Sequence, residues 1–201
     1  MKILLVGGNG TIGRRLAEAL RPEHELITAG RHSGDERVDI SQPPSIARLF
    51  ARLGTLDAVI CTAGEARWER FESMSEADFQ VGLRSKLMGQ VLLTQQALQV
   101  LPPGGSITLS SGILADQPVD KTTSAAMVNG ALHSFVRAAA LELFDRRIRI
   151  NVVCAGLVED SYEKYKAFFP GHTPVPMRKV VDAYRRCLEG KIHGQVVRVW
   201  S

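Results

Sequence analysis

A cluster of glycines near the N-terminus carries the first chemical signal. Val6-Gly7-Gly8-Asn9-Gly10-Thr11-Ile12-Gly13 satisfies GxGxxG through Gly8, Gly10 and Gly13, and GxxGxxG through Gly7, Gly10 and Gly13. Small residues at this spacing let the chain turn tightly, let a pyrophosphate approach the backbone, and let a helix pack closely on a strand. A helix starting at Thr11 aims its free amides and positive dipole end at the phosphates. Gly7, Asn9, Gly10, Thr11, Ile12 and Gly13 are therefore expected to line a dinucleotide site. The alternative is a glycine-rich turn with no ligand.

The second signal is Ala29-Gly30-Arg31. It lies about twenty residues past the loop, where an acid would bind a ribose 2′-hydroxyl and an arginine would take a 2′-phosphate. Arg31 stands there, with Arg14 or Arg15 near it, and a guanidinium fits a phosphate fork. This favours NADP(H) as the cofactor over a surface arginine in an arginine-rich chain. Asp39-Ile40 closes the next apolar run and is expected to meet the adenine, although an aspartate there also serves as a helix cap.

These residues need strands and helices to position them. Short apolar runs at 2–6, 25–29, 37–40, 57–61, 106–110, 149–154 and 195–199 read as strands. Helical patterns at 11–20, 43–53, 76–99, 123–144 and 179–188 alternate with them. In the longest pattern, Phe79, Leu83, Leu87 and Val91 recur at i, i+4 spacing. The helix at 123–144 carries small residues (Ala126, Gly130, Ala131, Ser134, Ala138) that permit close packing. Such alternation predicts an α/β fold, a single doubly wound Rossmann domain over 1–201 with a seven-stranded parallel sheet and helices on both faces. The ligand of such a sheet sits beyond the strand carboxyl ends, where strand order reverses.

Composition excludes other classes. The net charge is +4 with a pI of about 9.1, but no basic run is interleaved with aromatics, so no nucleic-acid partner is expected. Cys61, Cys154 and Cys187 show no CxxC spacing, which gives neither a disulfide framework nor a zinc site. The five histidines are dispersed and no metal is expected. The apolar stretch 3–6 is too short for a signal peptide, and no run reaches membrane-spanning length. A cytoplasmic protein is expected.

Further stretches carry a resemblance: Thr62-Ala63-Gly64, Ser110-Ser111, Gly130-Ala131-Leu132 through Ala140-Leu141-Glu142-Leu143, Asn151-Val152-Val153-Cys154-Ala155-Gly156, and Gly194-Gln195-Val196-Val197. Together with the glycine loop, they resemble the short-chain dehydrogenase/reductase family over nearly the whole chain. The resemblance implies cofactor contacts from Ala63 and Gly64, and backbone contacts from Gly156 and Val158 to a carboxamide. It also implies that Ser111 stabilises a substrate oxygen. The family's proton donor is a tyrosine, paired with a lysine on the same helix and an asparagine on the preceding one. Aligned by its Ala-Leu-Glu-Leu end, this chain has Ala125 at the tyrosine position, Asn129 at the lysine position and Lys86 at the asparagine position. Ala155 also replaces a proline, and the segment from Arg31 to Asp39 is too short for the helix usually found there.

Lys86 and Asn129 thus read as an exchange that keeps an ammonium and a polar partner beside the ribose. The alternative is a lysine whose stem covers apolar surface. Tyr162 and Tyr165 follow the sixth strand and are alternative proton donors, or simply packing residues on a short helix. Two functions fit: an NADP(H)-dependent oxidoreductase acting on a small carbonyl or alcohol through a non-standard site, and an inactive NADP(H)-binding sensor of the same fold. Val81, Met88 and Leu92 lie off the Phe79–Val91 stripe and suggest a helix-to-helix homodimer. Phe168, Phe169, Pro170 and Pro174 suggest a small apolar substrate pocket.

Overall fold

The computed structural model describes residues 1–200. Seven parallel strands form one sheet in the order β3-β2-β1-β4-β5-β6-β7. They are β1 (Lys2–Val6), β2 (Glu25–Gly30), β3 (Glu36–Arg37), β4 (Ala58–Cys61), β5 (Ser106–Gly112), β6 (Arg149–Ala155) and β7 (Val196–Val199). The order reverses between β1 and β4, and the glycine loop opens from β1 at that point.

Helices cover both faces, as parallel strands require. On one side α1 (Thr11–Leu20) and α7 (Met177–Glu189) enclose Ile3, Leu5, Ile60, Val153 and Tyr184. On the other lie α2 (Pro43–Leu53), α3 (Glu76–Gly82), α4 (Gly89–Ala97) and α5 (Thr123–Leu143). Here Leu4, Val59, Ile107, Leu109 and Val152 pack on Leu49, Leu93, Leu132 and Val136. A short helix, α6 (Tyr162–Tyr165), follows β6.

Two elements depart from the pattern expected of the sequence. The third strand keeps only two residues, Glu36–Arg37, rather than 37–40. The Asp35 carboxylate accepts from Thr28 N–H and Oγ1–H, both at 2.8 Å, and folds the chain tightly back against β2. Beyond Arg37 the backbone is drawn off the sheet, with Asp39 N–H donating to Ser45 Oγ at 3.0 Å and Asp39 Oδ1 accepting from Ser41 N–H at 2.9 Å. The Asp39 carboxylate thus closes a turn onto Ser41 ahead of α2, whose N-cap Gln42 has no side-chain cap hydrogen bond.

The expected helix 76–99 is also not continuous. Ser75 and Asp78 form a capping box at its start, but Leu83–Met88 wind as a π-helix before α4 resumes. Glycines flank this wide turn: a Cβ on Gly82 would crowd Ser124 and Val128, and one on Gly89 would strike the Ile40 carbonyl. The Phe79, Leu83, Leu87, Val91 stripe is only half-buried, and the face turned inward is Ser85, Gly89, Gln90, Leu93 and Ala97. The small-residue face of α5 is likewise turned outward, with Ser134 and Ala138 exposed.

Candidate active site

The glycine loop folds as a preformed cradle. Gly7 adopts φ +91° and donates to Ala29 O at 2.7 Å, while Gly10 donates to Gly7 O at 2.9 Å. A Cβ on Gly7 would collide with Thr62 Oγ1 and Ala63 N, and one on Gly13 would run into the Gly7 carbonyl. Gly10 is the N-cap of α1 and has no side chain to bond the first-turn amides, and no acid lies in that turn. Those amides remain uncapped, at the positive end of the helix dipole.

Gly7, Asn9, Gly10, Arg31, Ile40, Ala63 and Gly64 line one cleft of about 380 Å³, as a dinucleotide site would require. Thr11, Ile12 and Gly13 form the first turn of α1 beside it. His32 and Ser33 add a second cation candidate and a hydroxyl beside Arg31. The Arg31 guanidinium lies 3.2 Å from Glu65 and 3.5 Å from Asp39. Asp39 lines an adjoining hollow of about 750 Å³ that shares Arg31, Glu65 and Ser85 with the cleft.

At the carboxyl ends of β5–β7 the structure gathers a polar group that sequence reasoning only partly anticipated. Ser111, Cys154 and Arg198 are register partners across β5, β6 and β7, so their side chains share the sheet face that α5 covers. Ser111 Oγ lies 2.7 Å from His133 Nε2 on α5. Asp116, just after the turn that follows β5, accepts from Arg198 Nη2 at 2.8 Å and Nε at 3.2 Å. Cys154 Sγ is 3.8 Å from Asp116 Oδ2. The Arg198 hydrogen bond holds the Asp116 carboxyl below the usual range. Burial lowers the His133 pKa, opposed by the charge of Asp116, and pushes the Cys154 thiol up to about 11.

Lys86 stands in the middle of the π-turn. Its stem packs beneath Gly64, where a Cβ would strike Lys86 Cδ, so Gly64 (φ +127°) is required by this lysine. Burial lowers the Lys86 pKa, opposed only by the thiols of Cys61 and Cys154, and no carboxylate contributes. Asn129 is buried on α5 one turn before His133, and its Oδ1 has no hydrogen-bond partner. Lys86 therefore does not bond that oxygen.

Ala125, at the position of the family tyrosine, is sealed by apolar side chains. It packs with Ile113, Leu114, Leu157 and Phe169, against which Trp68, Tyr162, Tyr165 and Trp200 rest. Trp68 contacts the Tyr165, Phe168 and Phe169 rings at 5.4, 5.6 and 6.4 Å. Tyr162 and Tyr165 are thus packing residues in this structure. A hollow of about 350 Å³ bordered by Gln117, Leu157, Pro170, His172 and Trp200 remains beside the cluster. Gly156 and Val158 do not line the glycine cleft itself. Gly156 N–H donates to Val199 O at 2.9 Å, and Val158 bridges Val175.

His133, Asp116 and Arg198 carried no local motif, since they meet only through sheet register and helix packing. The one available signal for His133 was its spacing, one turn beyond Asn129 on the same buried stripe.

The family model described as enoyl-(acyl carrier protein) reductase matches residues 12–173. The solved structure of the protein lin1944 from Listeria innocua is 39% identical and superposes over 100% of both chains with a TM-score of 0.97. A small-chain dehydrogenase in complex with NADPH is 27% identical, with a TM-score of 0.86 over 98% of this chain and 95% of that one. Versicolorin reductase 1 of Dothistroma septosporum is 26% identical over 165 residues, which are 79% of this chain and 63% of the relative. The chain thus spans less than two-thirds of the length of that curated relative. Matched by the family model over most of its length, and by these structures in every layer of the fold, the chain belongs to the short-chain dehydrogenase/reductase family.

Proposed function

We propose that this chain is an NADP(H)-dependent oxidoreductase that acts on a small carbonyl or alcohol at the carboxyl ends of β4–β6. The observation that carries the reading is the buried, unpartnered Asn129 Oδ1 one turn before His133, the hydrogen-bond partner of the Ser111 hydroxyl; Lys86, which no carboxylate pairs, is the third polar group. A buried acceptor left without a partner costs about 1–3 kcal/mol, and a bound ligand or water repays it. The glycine cradle fits a pyrophosphate, because its tight turn admits no Cβ at Gly7 or Gly13 and the first-turn amides of α1 beside it are uncapped. Arg31, with His32 and Ser33 beside it, would hold the 2′-phosphate. The NADPH complex of a relative at 27% identity and the reductase names among curated relatives support the same reading.

When bound, the nicotinamide supplies or accepts hydride. Lys86 then holds the ribose hydroxyls in place of the family lysine, and Asn129 accepts from a ribose hydroxyl or a bridging water. Ser111 hydrogen-bonds the substrate oxygen and fixes its distance from the reacting carbon. Exposed Val81, Met88 and Met127 on the α3–α5 face fit a homodimer. No helix among the described residues is long and apolar enough to cross a membrane, which fits the cytoplasmic location proposed here.

The competing reading is an NADP(H) sensor without turnover, and the apolar seal over Ala125 favours it. Calorimetry with NADPH, NADP, NADH and NAD, followed by a carbonyl screen, separates the two. Binding that depends on the 2′-phosphate, weakened by Lys86→Ala, together with cofactor oxidation by a ketone, supports the oxidoreductase. Binding without any turnover supports the sensor. No binding to any of the four removes both.

A further inference from the structure

The family's phenol is absent at Ala125: Tyr162 and Tyr165 pack in the cluster over it, and Tyr184 is buried under the opposite face of the sheet. The serine that should meet the substrate oxygen instead has an imidazole behind it. Ser111 Oγ and His133 Nε2 are 2.7 Å apart and both residues are buried. Such a bond, between a hydroxyl and a ring nitrogen of ordinary pKa near 6.5, is the arrangement that moves a proton in response to charge on the hydroxyl.

We propose that His133 is the proton store of this site, passing a proton to and from the substrate oxygen through the Ser111 hydroxyl. The proposal rests on the oxidoreductase reading above and names its proton source. In carbonyl reduction the carbon gains hydride from the reduced nicotinamide, a two-electron donor. The oxygen takes the Ser111 Oγ proton as its new O–H bond forms. Ser111 is reprotonated at once by the Nε2–H of an imidazolium, which is left neutral with its remaining proton on Nδ1. Alcohol oxidation runs the same transfers backwards, and neutral His133 takes up the proton. His133 is a positioning and relay residue, because only Ser111 meets the substrate.

The surroundings suit a group that must hold a proton for part of the cycle. Asp116, after β5, raises the His133 pKa, while burial, Arg198 on β7 and Arg137 on α5 itself lower it. Cys154 on β6 faces the same pocket and is kept as a thiol by burial, and Lys86 lies beyond it. Arg198 pins Asp116 with two hydrogen bonds, so the carboxylate stays fixed near the imidazole. Asp116, His133 and Cys154 also offer three possible metal-ligand atoms within 4.8 Å of one another. In this structure, though, the Asp116 carboxylate is held by Arg198 and His133 Nε2 by Ser111. The proton relay uses both contacts as they stand, whereas a cation bound through these atoms would compete with them.

Two measurements test the relay. The first is imidazole titration by NMR on ligand-free wild type, Ser111→Ala and Asp116→Asn. His133 should take up one proton with a midpoint below the ordinary histidine value of about 6.5. Asp116→Asn should lower that midpoint further, and Ser111→Ala should move it. A His133 signal that is flat between about pH 4 and 8 would overturn the relay, because a histidine that does not titrate there stores no proton. So would a midpoint indifferent to Ser111→Ala, or stoichiometric zinc binding lost in Cys154→Ser.

The second measurement is NADPH oxidation by acetophenone, cyclohexanone and a naphthoquinone across pH, in wild type and His133→Gln. Glutamine keeps a hydrogen bond to Ser111 but cannot titrate. Expected are unchanged NADPH affinity and KM, a kcat about 100-fold lower, and loss of the fall in reduction rate as pH rises through the His133 midpoint. Turnover that His133→Gln matches at every pH removes the relay alone. Wild type that binds NADPH and reduces no ketone removes the oxidoreductase reading, and the relay with it.

Discussion

Gln90 and Ser110 exchange a pair of hydrogen bonds: Gln90 Oε1 accepts the Ser110 N–H, and Gln90 Nε2 donates to the Ser110 carbonyl, each at 2.9 Å. β4 pairs with β5 only as far as Ile60 and Thr108, so the β5 edge beyond that point is without a strand neighbour. The Gln90 side chain takes the place of the missing strand. The same Nε2 donates to the Lys86 carbonyl at 3.0 Å, which ties the π-turn to the strand that ends in Ser111.

Replacing Gln90 by methionine keeps most of its volume and leaves the buried Ser110 N–H and C=O unpaired. At about 1–3 kcal/mol for each of the two orphaned groups, the expected loss is about 2–6 kcal/mol, read from urea unfolding. A loss below about 0.5 kcal/mol would mean that water replaces the amide there.

Arg31 is shared between its carboxylate neighbours and the proposed 2′-phosphate. Arg31→Ala should weaken NADPH binding by about 10–100-fold, the equivalent of one charge-assisted contact of about 1.5–3 kcal/mol, and leave NADH nearly unchanged. Glu65→Gln removes one competitor, at 3.2 Å, and should tighten NADPH. Calorimetry reads both, and equal losses for the two cofactors in Arg31→Ala would return Arg31 to the role of a surface cation.

Asp116 should leave a pH signature in stability. Its pKa is lowered in the folded chain, chiefly by the Arg198 hydrogen bond. The stabilisation is therefore fully present above the unfolded value of about 3.9 and is lost as pH falls through the folded value. Wild type should melt higher than Asp116→Asn at neutral pH, with the gap closing in acid. Partial exposure of both partners keeps the gap small. A gap that widens in acid would reverse the sign assigned here.

Much of this was legible in the chain because it follows local rules. The glycine loop, the strand alternation and the seven-stranded parallel sheet came from periodicity and from glycines at fixed offsets, and the sheet has the expected strand number and direction. The π-turn was not legible. One residue added to a helical turn barely disturbs an i, i+4 apolar pattern, and only the Gly82/Gly89 pair hinted at it. The polar group around Ser111 was half legible. Ser111 ends a strand in a recognisable pair of serines, whereas His133 and Arg198 reach it across sheet register and helix packing. The short third strand was misjudged because the Asp35 turn competes with strand pairing through side-chain hydrogen bonds.

Lys86 brings stability and ligand binding into conflict. Its pKa is lowered by burial, with no carboxylate to offset the charge, so holding a proton there disfavours the ligand-free fold at neutral pH. Methionine keeps the apolar stem that packs under Gly64 and removes the charge. Lys86→Met should therefore raise the melting temperature of the ligand-free protein while weakening its affinity for NADPH. A surface lysine whose head merely reaches solvent would do neither. Thermal unfolding with and without NADPH measures both effects in one experiment: the variant should melt higher alone and gain less from the cofactor. If the variant melts lower alone and gains as much as wild type, the ammonium is a structural cation and Lys86 leaves the site.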